Sequence, residues 1–191
     1  MKKTSQRGDT LIELVLAFAI FSIAAVSAIA IMNRGIAISQ HSLETTLVRQ
    51  QMDGQAETIR YLRDTSNPLW DSLKNRADDS TTLAPLAPTT CPGASDIVTN
   101  NLHGFFIARD TSTSEFLITD VDAGNFSQPS SYAYVDKDNS HAYGLWVQVA
   151  RAEDGNKPLK AYDIYIHACW QSVAMANIPA TLGTIVRIYD K

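Results

Sequence analysis

The hydrophobic pattern divides the chain into three regimes. Leu14 to Met32 is an unbroken apolar run of 19 residues, with no charge, glycine or proline, and only Ser22 and Ser27 as polar members. As a helix it rises about 28 Å, close to the hydrocarbon thickness of a bilayer. From Asn33 to about Arg63 the apolar residues recur at helical spacing in two stripes. One holds Ile38, His41, Val48, Met52, Ala56, Ile59 and Leu62; the other holds Ile36, Leu43, Leu47, Gly54 and Tyr61. The pattern predicts one helix through both segments, with one face on a sheet and the other on neighbouring helices. His41 reads as a packed or partly exposed histidine, and Gly54 as a site for a bend or close approach.

Asn67-Pro68 ends that helix, because the residue before proline disfavours the α region. Leu69 to Asn101 is loop-rich, with a short helical turn at Trp70 and Leu73 and an exposed Thr/Pro/Ala tract from Ser80 to Gly93. Beyond His103 the period becomes two. Strands are predicted at Gly104–Arg109 and Glu115–Asp120, joined by a turn at Asp110–Ser114. Asp122–Ser140 reads as a polar loop. Further strands follow at Tyr143–Ala152, Lys160–Trp170 and Gly183–Tyr189, the first two joined by a turn at Glu153–Pro158. The fold class is α+β: a long N-terminal helix, half membrane and half exposed, packed on a four- to five-stranded antiparallel meander.

Charge changes the reading of the N-terminus. Lys2, Lys3 and Arg7 precede the apolar run and hold that end in the cytoplasm, leaving the rest of the chain outside. Glu13 sits at the mouth of the run, where an unpaired carboxylate needs solvent or a partner. The positive end of the helix dipole offsets part of that cost.

The basic leader, Gly8, the sequence Thr10-Leu11-Ile12-Glu13 and the run that follows resemble the type IV pilin-like proteins: pilins, minor pilins and type II secretion pseudopilins. The match covers about 25 residues. It implies that a prepilin peptidase of the membrane cuts between Gly8 and Asp9 and methylates the new N-terminus. It implies that Glu13, fifth after the cut, pairs with the N-terminal amine of a neighbouring subunit during assembly. The partners it implies are other pilin subunits along the helix, the inner-membrane assembly machinery and the membrane itself. Two features depart from the family's usual pattern. Asp9 stands where an apolar residue is common, and no proline precedes Pro68. Both point to a minor pilin or pseudopilin. The implied domains are a leader at 1–8, a transmembrane and assembly helix at 9–34, its amphipathic continuation at 35–66, and an extracytoplasmic β-rich head at 67–191. Its localisation is that of a single-pass membrane protein assembled into a surface filament or pseudopilus.

Composition bounds the remaining choices. Loss of Lys2, Lys3 and Arg7 would take the formal net charge from −4 to −7. That acidity disfavours direct nucleic-acid binding. Cys91 and Cys169, an even count in an exported domain, suggest one disulfide; two buried thiols or a metal site are the alternatives. A disulfide bracketing the C-terminal part of the head also recurs in pilins. No nucleophile, zinc or phosphate-loop motif is present, so an enzyme is not expected. No cofactor is expected beyond a calcium candidate, Asp136, Asp138 and Ser140, which lacks the glycine and distal glutamate of an EF-hand loop. Asp120 and Asp122 form a weaker acidic neighbour, and Asn125-Phe126-Ser127 fits the short glycosylation pattern. Of the aromatics Phe105, Tyr132, Tyr134, Trp146 and Tyr165, most belong to the core by their strand spacing. The rival readings are a membrane-tethered binding module that does not polymerise, and a secreted protein cut after Ala30 at the small-residue site Ala28-Ile29-Ala30.

Overall fold

The structure is a computed structural model that describes residues 9–79, 90–98, 104–110, 112–129, 131–136, 140–154, 157–175 and 178–190. The chain forms two units, Met1–Gln40 and His41–Lys191. Helix α1, Asp9–Asp64, contributes to both. From His41 onward the buried apolar residues of α1 are Val48, Met52, Ala56, Ile59 and Leu62 of the first stripe, and the polar Glu44 and Gln55 are buried beside them. Leu43 and Tyr61 of the second stripe are exposed. Gly54 has open space at its Cβ position, so it permits no close approach within the described residues.

The end of α1 is built by a few residues with local reasons. Ser66 takes a left-handed φ of 51°. Its N–H reaches the Arg63 carbonyl at 3.2 Å, and the Asn67 N–H reaches the Leu62 carbonyl at 3.0 Å. These two bonds form a Schellman motif, which satisfies carbonyls that the last helical turn leaves open. Asn67 then starts the next helix, α2 (Pro68–Asp79). Its side-chain oxygen accepts the Leu69 N–H at 3.0 Å, and Pro68 fills the first helical position, where no donor is needed. The predicted short turn at Trp70 and Leu73 is thus a helix of 12 residues, with both side chains buried. Helix α3 is Ala94–Val98.

Eight strands follow: β1 Phe105–Arg109, β2 Phe116–Asp120, β3 Phe126–Ser127, β4 Tyr134–Asp136, β5 His141–Tyr143, β6 Leu145–Asp154, β7 Lys157–Trp170 and β8 Ala180–Tyr189. Five form an antiparallel sheet in the order β2-β1-β6-β7-β8. This is not the meander expected, since β1 and not β2 lies beside β6. The segment between β2 and β6, read as a polar loop, instead carries a second sheet, β3-β5-β4. These strands have two or three residues each, too short to leave a period-two signature.

Gly144 separates the two sheets between β5 and β6. It has φ 64°, and an added Cβ would lie 2.1 Å from the Cys169 carbonyl oxygen and 2.6 Å from Pro129 Cδ. Its own carbonyl accepts the Cys169 N–H at 2.8 Å, and its N–H donates to the Ser127 carbonyl at 2.8 Å. A residue with a side chain fits neither the φ nor the space.

The middle of β6 is buried on both sides, from Leu145 through Val149. One face of the sheet carries Val147, Ile164, Ile166 and Trp170; the T-shaped contact of Trp70 with Tyr162 places α2 on that face. Trp146 and His167, paired across β6 and β7, occupy the opposite face, where Phe126 of the second sheet packs edge-on against Trp146. The end of β8 is held at the α1–α2 corner. Trp70 Nε1 donates to Asp190 at 3.1 Å, and Arg63 donates to the Tyr189 carbonyl at 3.1 Å. Lys74 reaches Asp71 at 2.9 Å and Asp190 at 3.5 Å, and the bond to Asp71 is the main cause that raises its pKa.

Candidate functional site

Helix α1 is described from Asp9, and Glu13 stands four residues farther along it. Glu13 is exposed, and so are Leu11, Ile12, Leu14, Val15 and Leu16 around it. Exposure continues on every side of the helix through Met32, with Ala25 alone partly covered. A helix apolar all round is suited to lipid or to packing against other helices. It is long and apolar enough to cross a membrane. Its two hydroxyls are satisfied internally: Ser22 donates to the Phe18 carbonyl at 2.7 Å and Ser27 to the Ile23 carbonyl at 2.8 Å. That leaves no serine donor unpaired in an apolar surround. Glu13 is the sole charge between Asp9 and Arg34.

The cleavage candidate Gly8 and the leader cations lie outside the described residues, and Asp9 is described only by its helical backbone. Asp9 and Glu13 are four residues apart, which places them on one face of α1 with a rise of about 6 Å between them.

The second half of the helix is gripped by the head through buried polar bonds as well as apolar packing. Glu44 is 7% exposed. One of its oxygens accepts Trp170 Nε1–H at 3.1 Å and the Ser172 hydroxyl at 2.6 Å. His41 Nδ1 lies 3.2 Å from that hydroxyl. Farther along, Gln55 is 8% exposed and forms two hydrogen bonds with the backbone of Ile107 in β1. Glu44 stands three residues after His41 and four before Val48, and Gln55 three after Met52 and four before Ile59, so helical spacing sets both on the buried stripe; nothing local in the sequence marks their partners.

Cys91 and Cys169 are joined by a disulfide with S–S 2.10 Å, and both are buried. It ties the segment before α3 to β7. Of the calcium candidates, Asp136 lies in β4 and Ser140 just before β5, while Asp138 falls outside the described residues. Among the described residues no group of three or more His, Cys, Asp or Glu could hold a metal. Asp120 pairs with Arg76, whose second nitrogen donates to it at 3.1 Å. Asp122 accepts the N–H groups of Gly124 at 2.6 Å and Asn125 at 2.9 Å. The Asn125 amide is engaged as well, donating to the Asp120 carbonyl at 2.7 Å. Phe105 and Trp146 are fully buried; Tyr132, Tyr134 and Tyr165 are half-buried. Tyr134 stacks on Tyr143 at 4.6 Å, so one face of each ring is already occupied.

The family model for the prokaryotic N-terminal methylation motif matches residues 3–29, the segment that contains Gly8, Asp9 and Glu13. No curated protein and no solved structure matches the chain.

Proposed function

The chain carries the N-terminus of a type IV pilin-like prepilin, and from that premise we propose that it is a structural subunit of a type IV pilus or pseudopilus, assembled through α1. The observation that carries the proposal is the exposed apolar surface of residues 11–32 of α1, where Glu13 is the single charge. In a bundle of such helices an unpaired carboxylate is costly, and so is an unpaired amine. Glu13 of one subunit and the Asp9 amine of the next relieve each other, which sets the axial register. A subunit entering out of step leaves both charges unpaired.

In this reading a prepilin peptidase removes residues 1–8, 9–34 is the membrane and assembly segment, 35–66 continues the helix, and 67–191 is the extracytoplasmic head. Asp9 at the cut and the lack of proline before Pro68 favour a minor pilin or pseudopilin over a main fibre subunit.

Mass spectrometry of the mature N-terminus tests processing. A chain starting at Asp9 is expected; Ile31 would mean an ordinary signal peptide, and Met1 a plain tether. Shearing cells that carry Glu13→Ala tests assembly. The variant is expected to stay in the membrane fraction and leave the sheared high-molecular-weight fraction. Wild-type recovery of the variant in filaments would overturn the register role.

A further inference from the structure

Between Asp163 and Arg187 the chain carries no Asp, Glu, Lys or Arg. Most of that stretch is β7 and β8, but several residues of their connection are exposed. The Met175 N–H closes a turn on the Ser172 carbonyl at 3.2 Å, and the Ala174 N–H meets Ser172 Oγ at 3.4 Å. Val173 and Ala174 occupy the two central positions. Val173 is 69% exposed, and Met175 and Ile178 are exposed as well. Turn centres ordinarily take Gly, Pro, Asn, Asp or Ser, which supply the geometry or a local hydrogen bond. Val and Ala supply neither. An ordered turn with an apolar tip has the form of an element that inserts side chains into a greasy phase.

Its place in the head narrows the phase. Ser172 is buried, donates to Glu44 at 2.6 Å and meets His41 at 3.2 Å. The turn is therefore fixed beside the first residues of the head unit, where the chain leads back to its apolar run. Residues 33–40 make that connection. By any path they span at most about 28 Å, and the headgroup layer occupies roughly 5–8 Å beyond the hydrocarbon on each side.

We propose that the Ser172–Met175 turn, together with Ile178, docks into the interfacial layer of the bilayer that holds α1. The ligand is a lipid surface, and the contact is made by the subunit before it enters a filament. Val173 and Met175 insert; the uncharged flanks let them do so without burying an ion. The inference rests on α1 being a membrane anchor.

The full chain, disulfide intact, is reconstituted into vesicles of phosphatidylethanolamine and phosphatidylglycerol. Val173→Cys carries an environment-sensitive fluorophore, and Thr113→Cys, in the exposed turn between β1 and β2, serves as the control. The Val173 site is expected to show blue-shifted emission and quenching by lipid spin-labelled near the headgroup, with neither effect at Thr113. A chain that floats with the vesicles but leaves the Val173 probe in water would overturn docking while the anchor stands. Shielding of that probe only in assembled filaments would make a neighbouring subunit the occupant and overturn it equally. Failure to float would remove the anchor and the inference with it.

Discussion

The side-chain amide of Gln55 pairs with the backbone of Ile107 as a neighbouring strand would. Gln55 Nε2 donates to the Ile107 carbonyl at 2.8 Å, and the Ile107 N–H donates to Gln55 Oε1 at 2.9 Å. The need arises from the sheet. β1 pairs with β2 along its whole length but with β6 only at Phe105–Val147. Beyond that point no strand among the described residues pairs with the β1 edge facing α1, and a helix side chain does so instead. A cleft of about 490 Å³ remains there, lined by Gln51, Gly54, Thr58 and Arg109 among others.

Gln55→Ala removes both bonds and leaves a buried N–H and C=O unpaired. A loss of roughly 2–4 kcal/mol in unfolding free energy is expected, read as a lower denaturant midpoint. Gln55→Glu keeps an acceptor for the N–H but sets a carboxylate against the Ile107 carbonyl, so it should not restore stability. A glutamate variant as stable as wild type would contradict the paired geometry.

Ser66 occupies the left-handed position that ends α1. Glycine has no Cβ penalty there, and serine does. Ser66→Gly is expected to gain about 0.5–1 kcal/mol, after subtraction of the extra freedom glycine has in the unfolded chain. Ser66→Val should lose stability, since a β-branched residue tolerates positive φ least. Thermal melts of the two variants should move in opposite directions.

Gly144→Ala meets a backbone atom, the Cys169 carbonyl oxygen, at an impossible 2.1 Å. Cys169 is itself tied to Cys91, so β7 has little room to yield. The expected cost exceeds about 3 kcal/mol. The variant should show lower yield of folded, oxidised protein and greater protease sensitivity.

His167 is 8% exposed, its ring stacks on Trp146 at 5.2 Å, and neither ring nitrogen has a hydrogen-bond partner among the described residues. Burial lowers its pKa from 6.5 to about 4. The native state therefore binds this proton less readily than the unfolded state does. Above about pH 6.5 both states are neutral and the group has no effect. As pH falls towards 4, unfolded chains take up the proton first, and stability drops by roughly 3 kcal/mol in total. His167→Phe should flatten this part of the profile. Carboxylates contribute near the lower end in both proteins, so the difference between the two curves from pH 7 to 4 isolates the histidine.

The sequence by itself determined what rests on neighbours a few residues away. The apolar run, the stripe through Val48, Met52, Ala56, Ile59 and Leu62, and the Asn67-Pro68 boundary repeat at spacings that the helix backbone imposes. The strands β6, β7 and β8 are long enough for their pattern to be read, although each runs beyond the predicted bounds. The N-terminal motif is likewise a contiguous word. Only the tertiary structure decided the rest. The three short strands between β2 and β6 have too few residues to show a period, and β1, not β2, lies beside β6. Glu44 is met by Trp170 and Ser172, Gln55 by Ile107, and His167 by Trp146. Each of these residues is far from its partner in sequence, and their burial depends on the packing of several elements at once. A polar residue on a helix or strand carries no local mark of the partner it will find. The physical reason is that backbone geometry repeats along the chain, whereas the satisfaction of a buried polar group is settled across it.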